Sequence, residues 1–205
     1  MTNGSRDLPP TPSAALELKE ERKLVREGYD FLDEKRLLLA GELLRELSRY
    51  EQRLAEFTAL HDKAREAVVS AVAHHGLHGL QVYPAEPLEC AQILTTVQSY
   101  LGVSVIESEL SLAAPEEPPY AELPSPEAEN CRKLFAETLP LAAALAAMVG
   151  NLRRLLDEYR RTERRARALE DVLLPEIEET LHEITAHLED IDLEEVIRTR
   201  LKYRS

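Results

Sequence analysis

Apolar residues recur in the first part of the chain at Leu18, Val25, Leu32 and Leu39, then at Leu43, Leu47, Tyr50, Leu54, Phe57, His61, Ala64, Val68 and Ala71. The steps from Leu39 onward are fours and threes. The same rule returns through Leu141, Leu145, Met148, Leu152, Leu155, Tyr159, Thr162, Ala166, Leu169 and Leu173, and after Pro175 the steps are fours to Ile177 and Leu181. Fours and threes average near 3.5, the period that keeps one helical stripe facing a partner helix. Two such stripes in one chain are expected to face each other. Each arm of about 60 residues would be on the order of 90 Å long at 1.5 Å per residue. The arms must run antiparallel if one chain supplies both. The seam expected from this pattern includes Leu18, Val25, Leu32, Leu39, Leu54, Leu152, Leu155, Leu169 and Leu173.

Between the arms the period changes. Gly76 and Gly79 in "HHGLHGL" are placed to end the first helix. Ile93, Thr95 and Val97 then alternate with polar neighbours, and "VSVIE" follows "SYLG", so two short strands joined by a turn are expected. A proline-rich loop, "AAPEEPPYAELPSP", leads to Ser125, Pro126 and Glu127, a helix start. Pro140 is placed to kink or restart the second arm, and Pro175 to kink it. The expected organisation is a flexible N-terminus over 1–12, a coiled-coil helix over 13–75, a middle module over 76–125 with a β-hairpin and the proline-rich loop, and a second coiled-coil helix over 126–205. The fold class is therefore all-α dominated, a long antiparallel two-helix coiled coil with a small hairpin-bearing module.

Composition supports long helices: 31% of residues are charged, there are seven glycines, and there is no tryptophan. A net charge of −13 opposes nucleic acid as the main partner, because binding a polyanion needs a basic face. No Lys or Arg occurs between Arg65 and Arg132, a stretch in which glutamate is frequent, so the middle reads as a separate surface. Basic charge concentrates instead at Arg153, Arg154, Arg160, Arg161, Arg164, Arg165 and Arg167, and again at Arg198, Arg200, Lys202 and Arg204. Such a band can read an acidic partner or can simply solubilise a helix by pairing with acids along it.

Catalytic chemistry finds no support. His74, His75 and His78 cluster without a Cys or paired carboxylate to complete a metal site. His61 falls on the seam, and Glu176, Glu178 and Glu179 read as a solvated face. The chain carries no phosphate loop and no nucleophile elbow. No catalytic residue, cofactor site or metal site is assigned. Cys90 and Cys131 lack ligand spacing and read as free thiols of a reducing compartment. The N-terminus lacks an apolar core of the kind that directs secretion. The most apolar stretch, "LPLAAALAAMVG", falls short of the roughly 20 residues a bilayer requires, so direct membrane insertion is not expected.

Several ordered motifs resemble one family. Thr162, Arg164, Arg165, Ala168, Leu169, Glu170, Val172, Leu173, Leu174 and Pro175 fit a helical signature of the D subunit of the vacuolar/archaeal-type (V/A-type) rotary ATPases and ATP synthases, with Ala166 and Arg167 departing from it. Pro10, Thr11, Leu18, Lys19, Leu24, Gly28, Leu32, Lys35 and Arg36 fit the family's first helix, Pro12 departing. Leu101, Gly102, Val103 and Val105 resemble its hairpin, Ile106 departing, and Leu139 with Pro140 also match. The resemblance spans about residues 9–200. It implies a non-catalytic central-stalk rotor shaft without a cofactor. Its paired termini enter a ring of catalytic and nucleotide-binding subunits, and its other end joins a membrane-rotor adaptor subunit. The implied function is to couple ATP hydrolysis or synthesis in the ring, by rotation, to proton or sodium translocation. It further implies the small F subunit of the stalk as a partner and a cytoplasmic location, peripheral to the membrane in the soluble sector. Arg164, Arg165, Arg198 and Arg200 become candidate ring contacts, and a bend at Pro175 a source of shaft asymmetry. The competing reading is a coiled-coil export or assembly factor that enters an ATPase ring of a secretion apparatus, although such rods usually lack a middle hairpin. A hydrolase with a disguised site is the reading from the enzyme class.

Overall fold

The computed structural model describes residues 9–84, 91–112, 121 and 124–204. Helix α1 spans Pro12–Val82, strands β1 and β2 span Gln92–Tyr100 and Val103–Ser111, and helix α2 spans Pro126–Ala168. A π-helical turn over Leu169–Leu173 leads into helix α3, Leu174–Arg204. The chain is thus dominated by helices that pair antiparallel, with a two-stranded hairpin between them in sequence. Cys90 and most of the proline-rich loop lie outside the described residues.

Two proline-led starts set the helices. The Thr11 hydroxyl accepts from the Ala14 amide at 3.2 Å, and Ser125 does the same for Ala128 at 3.2 Å. In each case proline follows the cap and occupies the first helical position, where its missing N–H costs nothing. Inside α1 the backbone leaves helical geometry at Gly76, where φ is 67° and ψ is 168°. Only glycine enters that region without strain, so the first of the two glycines interrupts the helix before a short continuation to Val82. Pro140, in contrast, sits inside an unbroken α2.

The chain divides into two compact units, Met1–Leu38 with Tyr159–Ser205, and Leu39–Glu158. In the first, Ala14, Ala15 and Leu18 of α1 bury against Ile177, Leu181 and Ile184 of α3, with Val25, Leu173 and Leu188 packed around them. Farther along α1, Gly28 faces Leu169, so rising numbers on one helix meet falling numbers on the other. In the second unit Glu46 bonds Asn151, Ala67 and Ala71 cluster with Cys131, and His75 approaches Ser125, again antiparallel. Leu39, Leu155 and Ile177 are the largest apolar side chains that are fully buried. Each contributes on the order of 1.5–3 kcal/mol relative to exposure.

The stretch Pro126–Tyr203 includes an 18-residue window of mean hydropathy 1.4, apolar enough by composition to cross a bilayer. Its alanine-rich portion instead carries the hairpin: Pro140, Leu141, Ala144, Ala147 and Met148 line the cavity beneath β2. Small side chains there allow a strand to lie close to a helix backbone, and the Ser108 hydroxyl donates to the Ala143 carbonyl at 2.8 Å.

Candidate functional site

The hairpin turn follows from two residues. Tyr100 pairs with Val103, leaving a two-residue loop of Leu101 and Gly102 with φ of 50° and 85°. Positive φ at both positions is the type I′ turn, whose twist matches that of paired strands. In such a hairpin the pair flanking the loop is hydrogen-bonded, and bonded and non-bonded pairs then alternate. The N–H and C=O groups of Ser104, Ile106 and Ser108 on β2 therefore point away from β1.

Those outward groups meet the helices. The Ile106 amide donates to Asn151 Oδ1 at 2.8 Å, and Asn151 Nδ2 donates back to the Ile106 carbonyl at 2.9 Å, so one side-chain amide substitutes for a neighbouring strand. Arg154 Nε donates to the Ser104 carbonyl at 2.8 Å, and Arg154 Nη2 to Asn151 Oδ1 at 2.6 Å. Asn151 Nδ2 also reaches Glu46 Oε1 on α1 at 3.1 Å, and Arg49 lies 3.6 Å from Glu46 Oε2. Asn151 is 2% exposed and Glu46 5%. Asn151 fills its bonding capacity, as a buried amide must, while Glu46 accepts one hydrogen bond and has the longer ionic contact with Arg49. The sheet thus stands on its β2 edge, which is why every residue of β1 except Tyr100 is exposed.

Sequence reasoning did not single out Asn151 or Glu46. The available signal was an asparagine deep inside a helix, with no capping role, directly after an alanine-rich run.

Of the seam positions, Leu18, Leu39 and Leu155 are buried, and Val25, Leu32, Leu152, Leu169 and Leu173 are half-buried. Leu54 is 38% exposed. His61 stacks on Phe57 at 5.7 Å and meets Phe135 edge-on at 6.4 Å. His75 Nε2 lies within hydrogen-bond distance of the cap Ser125, tying the end of α1 to the start of α2. Burial raises the Cys131 thiol pKa.

The arginine band wraps a buried stripe: Thr162 and Ala166 are 1% exposed, while Arg160, Arg161, Arg164, Arg165 and Arg167 face solvent. Arg164 Nε donates to the Arg160 carbonyl at 3.3 Å, and Arg167 pairs with Glu163 at 2.8 Å. Arg198 pairs with Glu194 at 3.2 Å, and Arg165 and Arg200 are exposed. Pro175 is exposed one residue after Leu174, whose amide donates to the Leu169 carbonyl five residues back. Beside this widened turn, burial raises the Tyr29 pKa, and the negative charge of Glu170, which also takes a hydrogen bond from the phenol, raises it further.

Beyond Leu188, every described side chain of α3 is exposed, including Ile191, Leu193, Val196, Ile197, Leu201 and Tyr203. Exposed apolar residues concentrated in this way make this end of α3 a candidate interaction surface.

A family profile described as the D subunit of ATP synthase matches residues 14–202. The chain is 30% identical to the A-type ATP synthase D subunit of Thermococcus sibiricus, over 93% of this chain and 91% of the relative. It is 25% identical to the V-type ATP synthase D subunit of Thermotoga neapolitana, over 93% and 94%. It is 28% identical to the A-type ATP synthase D subunit of Methanoregula boonei, over 95% of each.

Proposed function

The chain belongs to the family of ATP synthase D subunits, and we propose that it is the central-stalk shaft of a V/A-type complex. As a member it is a non-catalytic subunit. In this reading it couples ATP turnover in a ring of catalytic and nucleotide-binding subunits to proton or sodium movement by rotation. It sits in the cytoplasmic soluble sector and contacts the small F subunit of the stalk and a membrane-rotor adaptor.

The observation that carries the reading is the end of α3. The helix pairs with α1 as far as Ile184 and Leu188, then continues to Arg204 with apolar and basic side chains both exposed. A helix end of that kind has surface to give to a surrounding ring, and Arg198 and Arg200 suit acidic ring residues. A shaft acts by making different contacts with different states of the ring, so that each state of one favours one angle of the other. Arg164 and Arg165 extend the same role along the paired part of the arm.

Truncation after Leu188 tests this. In a reconstituted complex the truncated chain should retain its helical content while ATP hydrolysis loses its coupling to ion transport. Normal coupling by the truncated chain would sink the proposal.

A further inference from the structure

The two edges of the hairpin are treated differently. The β2 edge is closed by Asn151, Arg154 and the Ser108 contact to Ala143. The same alternation leaves the N–H and C=O groups of Ile93, Thr95, Val97 and Ser99 pointing outward from β1, and no described residue bonds to them. Among the described residues, the nine-residue strand is therefore open along one side. Edge strands of soluble proteins are normally blunted by lysine, proline, a bulge or a covering element. β1, "QILTTVQSY", has no charged residue and no proline, and it pairs with β2 without a bulge. Ile93 and Val97 on one face are each 62% exposed, and Leu94 on the other is 57% exposed.

Charge narrows the occupant. Glu107 and Glu109 are exposed on the face shared by Thr96 and Leu94, and neither makes an ion pair with a described residue. Arg49 and Arg53 line the cavity beneath β2, but they pair with Glu46 and Glu56. The sequence from Glu66 to Cys131 offers no Lys or Arg of its own.

We propose that the open edge of β1 receives an extended segment of another subunit, apolar at alternate positions and carrying Lys or Arg, which adds a third strand to the sheet. Main-chain bonds to Ile93, Thr95, Val97 and Ser99 supply the fit, and the apolar side chains select alternate positions of the incoming strand. The glutamates favour a cationic segment. The inference rests on the chain being a subunit of a larger complex.

Residue-resolved hydrogen exchange on the isolated chain and on the purified complex tests it. Amides of Leu94, Thr96 and Gln98 belong to the hairpin ladder and should be protected in both. Those of Ile93, Thr95, Val97 and Ser99 should exchange freely in the isolated chain and slow by roughly a hundredfold in the complex. Thr95→Pro removes one outward donor without breaking the ladder, so it should weaken retention of the chain in the complex, whereas Thr95→Ala should not. Glu107→Lys with Glu109→Lys should reduce the protection. A complex that assembles with these four amides still exchanging freely overturns the inference and leaves the subunit assignment standing. Protection already present in the isolated monomer, or appearing in step with its dimerisation, overturns it too, because the edge would then be covered by the chain itself or by a second copy.

Discussion

Replacing Asn151 with alanine should release the hairpin from the helices. The side chain gives two bonds to the Ile106 backbone, each worth about 1 kcal/mol net, and one to the buried Glu46 carboxylate, worth about 2 kcal/mol because the acceptor is charged. The cavity of about 620 Å³ beneath β2 lets water reach the freed Ile106 groups, which keeps the loss near that sum. A loss of about 4 kcal/mol in docking corresponds to roughly a thousandfold faster exchange of the Ile106 amide, at about 1.4 kcal/mol per tenfold. Exchange of the ladder amides within the hairpin should accelerate less, since β1 and β2 still pair. Glu46→Ala supplies the other corner of a cycle: the two substitutions share a bond, so their combined cost should fall short of the sum by about 1–2 kcal/mol. If Asn151→Ala leaves Ile106 exchange unchanged, or if the two costs simply add, the side-chain amide is not what holds the sheet edge.

Leu169→Asp places a carboxylate against Gly28 in a region that already carries Glu170 and Asp171, and should cost about 2–3 kcal/mol in denaturant unfolding, against at most about 0.5 kcal/mol for Glu163→Ala. Equal costs for the two would refute the packing of Leu169 against α1. The raised pKa of Tyr29 means that its neutral form is favoured by folding. This contribution is complete below the usual phenol pKa of 10.0 and is lost as pH rises through the folded value. Wild type should therefore lose more stability than Tyr29→Phe between neutral pH and pH values above 10, and parallel curves would refute the upward shift of Tyr29. A Cβ at Gly41 would meet nothing within 4 Å, so Gly41→Ala should stabilise α1 by about 0.5–1 kcal/mol, read as a higher denaturant midpoint.

The helices were legible because their partner is another helix. A stripe repeating every three or four residues reports burial directly, and Leu18, Leu155, Thr162, Ala166, Ile177 and Leu181 are all buried where that stripe runs. The stripe weakens where the hairpin and the alanine-rich segment intervene, and there Leu44, Leu47 and Leu54 of α1 are exposed. Alternation located the hairpin, and Gly102 located its turn, but alternation is silent about which edge is covered. That depended on Asn151, a single polar residue whose partner is backbone, and backbone carries no sequence signature. The expected restart at Pro140 does not occur. One missing N–H within a helix of 43 residues does not end it when α2 is held by neighbours on both sides of the proline.

Pro175 poses the opposite case, since the helix changes form just before it. The seam there advances by three successive fours, Leu169 to Leu173 to Ile177 to Leu181, and at 3.6 residues per turn each four overshoots the face by roughly 40°. Yet Ile177, Leu181 and Ile184 are buried together with Leu18. The π-helical turn over Leu169–Leu173 absorbs the surplus by taking more residues per turn, and the Leu174 amide bonding five residues back is its signature. This separates two causes that could act alone, the proline and the spacing, through a deletion. Val172 is 61% exposed, and removing it shortens one of the fours to a three and restores an average near 3.5. Without Val172 the turn should close to ordinary α-helix, bringing the Pro175 ring against the preceding turn at a cost of about 3 kcal/mol. Combining the deletion with Pro175→Ala should recover that stability and keep Ile177 and Leu181 buried. Deleting Glu183, from regular helix, should instead rotate Ile184 and Leu188 off the seam with no rescue from Pro175→Ala. If the double variant is no more stable than the Val172 deletion alone, the widened turn does not exist to reconcile the proline with the seam, and the spacing argument fails.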